Sequence, residues 1–129
     1  LLNRSDESEI SQWVEDSIKV NGYFVVVRKL NIGDADELKR LGDRLISNIR
    51  SGIGILFDDG GEKPAAVIVV SDDLVKKELN AGKLAKEIGS FMGGGGGGKP
   101  HLATAGGKDS NAIHEAMKKT EELITNTLA

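Results

Sequence analysis

The chain reads as an α/β (α+β) fold: a mixed β-sheet of about four strands covered by helices and preceded by an N-terminal helix. Three observations predict it. Helical periodicities interleave with short apolar, β-branched runs in the order α-β-α-β-β-α-β-α. The turn-forming stretch Asp58-Asp59-Gly60-Gly61-Glu62-Lys63-Pro64 separates two such runs, as in a hairpin. A length of 129 residues, 39% hydrophobic and 29% charged, is enough for one core without metals or disulfides.

The opening helix is expected after Asp6, whose spacing to Glu9 forms a capping box. Ile10, Trp13, Val14 and Ile18 recur at helical spacing, and Gly22 is placed to end the helix. Residues 23–27, Tyr-Phe-Val-Val-Val, form a buried strand. Asp34 and Glu37 repeat the capping pattern. Leu38, Leu41, Leu45, Ile46 and Ile49 then mark the apolar face of a second helix, ending near Gly52. Residues 53–57 and 65–70 are the hairpin strands. Asp72 or Asp73 starts a short helix through Leu79, and Asn80 caps another carrying Leu84, Ile88, Phe91 and Met92. Residues 102–105 form a brief strand. A last helix from about Ser110 presents Ile113, Ala116, Met117, Leu123, Ile124 and Leu128.

Composition narrows the function classes. There is no cysteine, so thiolate metal sites and disulfides are excluded. No apolar stretch approaches a membrane span, no signal-peptide pattern opens the chain, and a cytoplasmic location is expected. Because the chain starts Leu1-Leu2-Asn3 rather than with methionine, it is expected to be a piece of a longer polypeptide. The net charge of −3 is unevenly spread: residues 1–75 carry −5, while residues 76–119 carry +4. The excess lysine lies around a glycine run; on charge alone this reads either as solvated helix faces that carry lysine or as a modest footprint for an anionic partner.

That run is Gly93, Gly94, Gly95, Gly96, Gly97 and Gly98, leading into Lys99-Pro100-His101-Leu102-Ala103-Thr104-Ala105-Gly106-Gly107-Lys108-Asp109. Six consecutive glycines are costly to order, so they need a reason. A flexible spacer is the plain alternative, against which stand the run's position between a helix and a strand of one domain and the Pro100 that ends it. A nucleotide P-loop requires Ser or Thr after Lys99, where Pro100 stands, and both phosphate-loop patterns require a preceding strand rather than a helix. What remains is close approach of a phosphate backbone to exposed N–H groups. Lys99 and Lys108 would stand at the rim, Lys83 and Lys86 on the helix before it, and Gly106-Gly107 would open the N-terminus of the last helix. The few aromatics argue against base stacking as the main contact; shape and phosphate contact fit better.

Residues 79–109, Leu-Asn-Ala-Gly-Lys-Leu-Ala-Lys-Glu-Ile-Gly followed by the glycine run and its tail, resemble the C-terminal domain of bacterial alanyl-tRNA synthetase. This is a DHH-associated domain type also found in DHH phosphoesterases. The family pattern runs Ala-Gly-x-Leu, then Gly-Gly-Lys-Gly-Gly-Gly-Arg-Pro-Asp-x-Ala-x-Ala-Gly-Gly. Pro100, Ala103, Ala105, Gly106 and Gly107 match it in register, whereas Gly95 stands for a basic residue, Lys99 for Arg and His101 for Asp. The resemblance implies a non-catalytic domain, residues 23–129, that binds the outer corner of tRNA(Ala) and helps couple aminoacylation with editing. Its RNA-contacting region would comprise Lys83, Lys86, the six glycines, Lys99, His101, Gly106, Gly107 and Lys108.

Residues 1–22 are then the remnant of a dimerisation or linker helix, through which a homodimer would form. The aminoacylation and editing domains of the same polypeptide are further implied partners. No cofactor is expected in this segment; ATP, Mg and a zinc site would belong to the rest of the enzyme. His101 and His114 with no cysteine cannot make the editing domain's zinc site. His114 reads as a surface residue. Asp58-Asp59 and Asp72-Asp73 read as turn and helix-start residues rather than as catalytic pairs. Two other readings stay open: the accessory domain of a DHH-type phosphoesterase or nuclease, gripping a nucleotide or single-stranded DNA, and a dimerisation module.

Overall fold

Six strands, not four, make one mixed sheet in the order β1-β2-β3-β4-β6-β5. The computed structural model describes residues 4–129, with side chains from Ser8 onward. In chain order the elements are α1 (Arg4–Glu15), β1 (Ile18–Val20), β2 (Tyr23–Leu30), α2 (Ala35–Ser47), β3 (Gly52–Asp58), β4 (Ala65–Val70), α3 (Asp72–Lys76), α4 (Ala81–Phe91), β5 (Gly95–Gly98), β6 (Leu102–Gly106) and α5 (Ile113–Leu128), with a 3₁₀ turn at Ser110–Ala112 before the last. Among the described residues only β2 and β3 pair in parallel, joined by the α2 crossover; the other pairs are antiparallel.

The two additional strands correct the sequence reading. α1 stops at Glu15, and Ile18, expected on its apolar face, instead opens β1 and is 50% exposed. Asn21 and Gly22 form a two-residue hairpin turn with φ of 53° and 85°, the mirror-image turn that Asn-Gly favours. The boundary expected at residue 22 therefore falls inside a β-hairpin. The capping side chain assigned to Asp6 lies outside the described residues; the helix backbone itself begins at Arg4. α2 ends at Ser47, earlier than Gly52, because Gly52 belongs to β3 and a Cβ there would overlap the Phe24 carbonyl. The second additional strand is the glycine run itself.

Apolar side chains fill both faces of the sheet. On one, Ile53, Ile55, Phe57, Ile68 and Val70 pack against Leu84, Ile88 and Met92 around α4 and against Ile113 and Ile124 of α5. On the other, Leu56, Val67 and Val69 pack against Leu38, Leu41 and Leu45 of α2. Ile10 and Trp13 of α1 complete that second core, 1% and 9% exposed, so the apolar stripe of α1 is occupied by its own chain.

Asp58, buried at the end of β3, accepts backbone N–H bonds from Ile32 (2.8 Å), Gly33 (2.9 Å) and Gly60 (2.9 Å). It ties the loop after β2 to the β3–β4 turn, while Asp59 pairs with Lys29 at 3.0 Å. At the opposite end Asp73 accepts hydrogen bonds from the hydroxyls of Ser51 and Ser71, joining the start of β3 to α3. Asp58, Asp59 and Asp73 thus have structural partners, as turn and helix-start positions imply.

Candidate functional site

The functional question returns to α4 and β5, which run antiparallel side by side. Asn80 caps α4 through Oδ1 to the Lys83 N–H at 3.3 Å, and the helix carries Gly82, Ala85 and Gly89 on one buried side. It ends in a Schellman motif: Gly94 N–H donates to the Gly89 carbonyl (2.8 Å) and Gly93 N–H to that of Ser90 (3.1 Å), with Gly93 at φ 81°. Gly93 is thus a helix stop. The chain then turns back as β5 and pairs with β6, Gly95 opposite Gly106 and Gly97 opposite Thr104.

Most of the remaining glycines are explained from within. A Cβ on Gly96 would lie 2.5 Å from the Ala85 carbonyl oxygen, and one on Gly82 would lie 2.9 Å from that of Gly98. Gly94 would overlap the Gly106 carbonyl, and Gly98 would come within 2.7 Å of the Ala103 Cα. Helix and edge strand pack backbone against backbone, which only residues without side chains allow. This revises the expectation that the whole run is bare for an external partner. Gly95 and Gly97 alone of the six combine an ordinary φ with nothing within 4 Å of an added Cβ.

The turn between β5 and β6 is stitched to the start of α4, since Ala81 N–H donates to the Pro100 carbonyl at 2.8 Å. At the other end Lys108 N–H donates to the Met92 carbonyl at 3.1 Å. Lys99 and Lys108 therefore flank the two ends of β5, about 13 Å apart along a four-residue strand. Lys83 and Lys86 are exposed on α4 between them. Among the described residues none of these four lysines is in an ion pair, so their charge is available to an anion. His101 is exposed in the turn, and His114 is exposed on α5.

Two assigned contacts are corrected. Gly107 is buried, its Cα side closed by Met92, and presents no surface. The N-terminus ahead of α5 is already capped: Asp109 Oδ1 accepts the Asn111 N–H at 2.9 Å, placing a carboxylate where an approaching phosphate was expected. Folding also brings in residues that the linear sequence did not single out. Lys39 and Asp43 of α2 line a groove of about 410 Å³ together with Gly97, Lys99, His101 and Thr104. Among the described residues no group of three His, Asp or Glu side chains could hold a metal ion, and no helix is long and apolar enough to cross a membrane.

Comparison with known proteins places this geometry among relatives. The DHHA1 domain family model matches residues 22–126. An alanine–tRNA ligase of Natranaerobius thermophilus is 35% identical over 129 residues, covering 100% of this chain and 15% of the relative. One of Geobacillus kaustophilus is 38% identical over 123 residues, covering 95% and 14%. The chain thus spans about 15% of the length of the curated relatives it matches. Among solved structures, the C-Ala domain from Aquifex aeolicus alanyl-tRNA synthetase superposes with a TM-score of 0.76 at 27% identity, covering 85% of this chain and 98% of that one. A DHH-domain member of the s1p family of ribosomal proteins shares the fold, with a TM-score of 0.58 at 14% identity over 90% of this chain and 30% of that one.

Proposed function

The chain belongs to the DHHA1 domain family, and on that premise we propose that it is the tRNA-binding C-terminal domain of an alanine–tRNA ligase. The observation that carries the proposal is the near-complete coverage, 98%, of a C-Ala domain by this fold. Identity to alanine–tRNA ligases along its whole length supports the same reading. In it, the domain binds the outer corner of tRNA(Ala), so that one tRNA serves both the aminoacylation and the editing domain of a cytoplasmic enzyme. ATP, Mg and zinc chemistry is assigned to those other domains.

Within the chain, the proposed contact is the flank formed by α4 and the β5–β6 turn. Lys99, Lys83, Lys86 and Lys108 follow one another along it, and among the described residues none of them is in an ion pair. A sugar–phosphate backbone laid along that flank would meet successive cations, and such contacts dominate affinity while fixing orientation. The test is a filter-binding titration of the chain against tRNA(Ala), with and without an intact D-loop/T-loop corner. Binding should weaken steeply with salt, require the corner, and vanish when Lys83, Lys86, Lys99 and Lys108 are changed together to Glu. A folded quadruple variant that retains tRNA would move the site elsewhere. Full binding of a tRNA lacking the corner would reject outer-corner recognition.

A further inference from the structure

The edge of the sheet farthest from the glycine strand is stepped. β1 covers only the start of β2, its last pair being Ile18 with Val25, whereas β2 continues to Leu30. Along β2 the backbone groups point alternately to either side. Phe24 N–H donates to the Ser51 carbonyl at 3.0 Å and the Leu30 carbonyl accepts from Asp59 N–H at 3.1 Å, so even-numbered residues face β3. Val27 and Lys29 therefore turn their N–H and C=O groups to the open side, where no strand pairs with them among the described residues. A groove of about 190 Å³ lies along this step and passes between the two helical layers, lined by Trp13 and Asp16 at the end of α1 and by Glu121 of α5. A second, of about 550 Å³, shares Ile18 and Glu121 with it and adds Lys118 and Glu122. Ile18 is the one large apolar side chain exposed among the described residues, and Glu121 and Glu122 are in no ion pair among them.

We propose that this step is a docking site for an extended strand from another part of the same polypeptide, which pairs with Val27 and Lys29 and continues the line of β1. The strand is apolar and basic: an apolar side chain covers Ile18, and a basic one meets Glu121 and Glu122. A second copy of this chain does not fit. Antiparallel self-pairing that clears β1 centres on Arg28 or Lys29, and either sets like charges directly opposite each other. RNA is repelled by the same carboxylates. The size of the contact selects the source. A strand of three or four residues falls well short of the roughly 1,200 Å² of a stable free-standing interface. Tethering within one polypeptide raises the effective concentration to about millimolar, which makes so small a contact sufficient. The curated relatives, of which this chain spans about 15%, hold ample polypeptide to supply the strand. The inference takes from the reading above only that the chain is one domain of a longer ligase.

Residue-resolved hydrogen exchange, without RNA, compares this chain alone with the full-length ligase that contains it. The Val27 and Lys29 amides should exchange at least about tenfold more slowly in the full-length protein, while those of Val26 and Arg28, bonded to β3, are protected in both. Ile18→Thr combined with Glu121→Lys should restore fast exchange at Val27 and Lys29 in the full-length protein. Retained protection at Val26 and Arg28 shows that the sheet of this variant is intact. Equal rates in the two proteins, or slowing that survives the double substitution, overturn the proposal. Slowing in the isolated chain that grows with protein concentration would give the edge to a second copy, and slowing that appears only on adding tRNA would give it to RNA. Either overturns it. The lysines of the β5 flank are untouched here, so loss of tRNA binding with Val27 and Lys29 still protected would sink the tRNA reading alone.

Discussion

A methyl group on Gly89 would overlap the carbonyl of Gly95, so α4 and β5 meet backbone to backbone. Two effects then oppose each other in Gly89→Ala. Helix propensity favours alanine by about 1 kcal/mol. Forcing a methyl into packed main chain costs about 1–3 kcal/mol, because backbone on both sides cannot step away. The overlap should win, and urea unfolding should show a lower midpoint with an unchanged slope. Gly97→Ala, facing open space, should be neutral or stabilising by roughly 0.5–1 kcal/mol. A stabilised Gly89→Ala would mean that the two elements are not in contact.

Asp58 gives a second, independent prediction. Its carboxylate satisfies the N–H groups of Ile32, Gly33 and Gly60 at one buried point. Asn keeps a single carbonyl oxygen and turns an NH₂ group toward one of those donors, so Asp58→Asn should cost about 2 kcal/mol. Asp58→Ala strands all three donors and should cost about 3 kcal/mol or more. Chemical unfolding measures both. Equal stability of Asp58→Asn and wild type would show that the loop does not depend on this clamp.

How far the sequence foretold all this differs from element to element. The β3–β4 hairpin and the Asn80 cap were legible because their signals, turn formers between apolar runs and a capping side chain, are local. β1 was not, because Ile10, Val14 and Ile18 continue a helical phase into a strand only three residues long. β5 was illegible for a different reason: a strand of four glycines has no side chains to alternate, so periodicity is silent. The trace it leaves is on its partner, in Gly82, Ala85 and Gly89 on one side of α4. The lysines could be counted in sequence, but that Lys99 and Lys108 flank opposite ends of one strand requires the β5–β6 pairing. Lys39 and Asp43 join Lys99 only through the stacking of α2 on the sheet.

Acid should loosen the end of the sheet near α3. Hydrogen bonds from Ser51, then Ser71, hold the Asp73 carboxyl below its ordinary value of 3.8. A depressed folded-state value means that this contribution is fully present above about pH 4. It is lost as pH falls below 3.8 and through the lower folded value. The group is largely solvent-exposed, so the effect is small, below about 1 kcal/mol. Asp73→Asn should therefore be slightly less stable than wild type at pH 7, and the difference should narrow as the pH falls below 3.8. Thermal melts across that range measure it; a gap that widens on acidification would contradict the sign.

The position of the tRNA flank can be tested one charge at a time. β5 and β1 are opposite edges of the six-stranded sheet, about 24 Å apart at the usual strand spacing. Lys86 is exposed on α4, the helix packed against β5, while Lys118 lines a groove with Ile18 of β1. If phosphates lie along α4 and the β5–β6 turn, Lys86→Ala should weaken tRNA binding and reduce the slope of log affinity against log salt by about one contact. Lys118→Ala removes the same charge and should leave that slope unchanged. A uniform loss for both variants would point to attraction by overall charge. A loss confined to Lys118 would place the RNA on the β1 edge, where Ile18 is exposed. Only the asymmetric result, in favour of Lys86, fits an RNA held against the glycine strand.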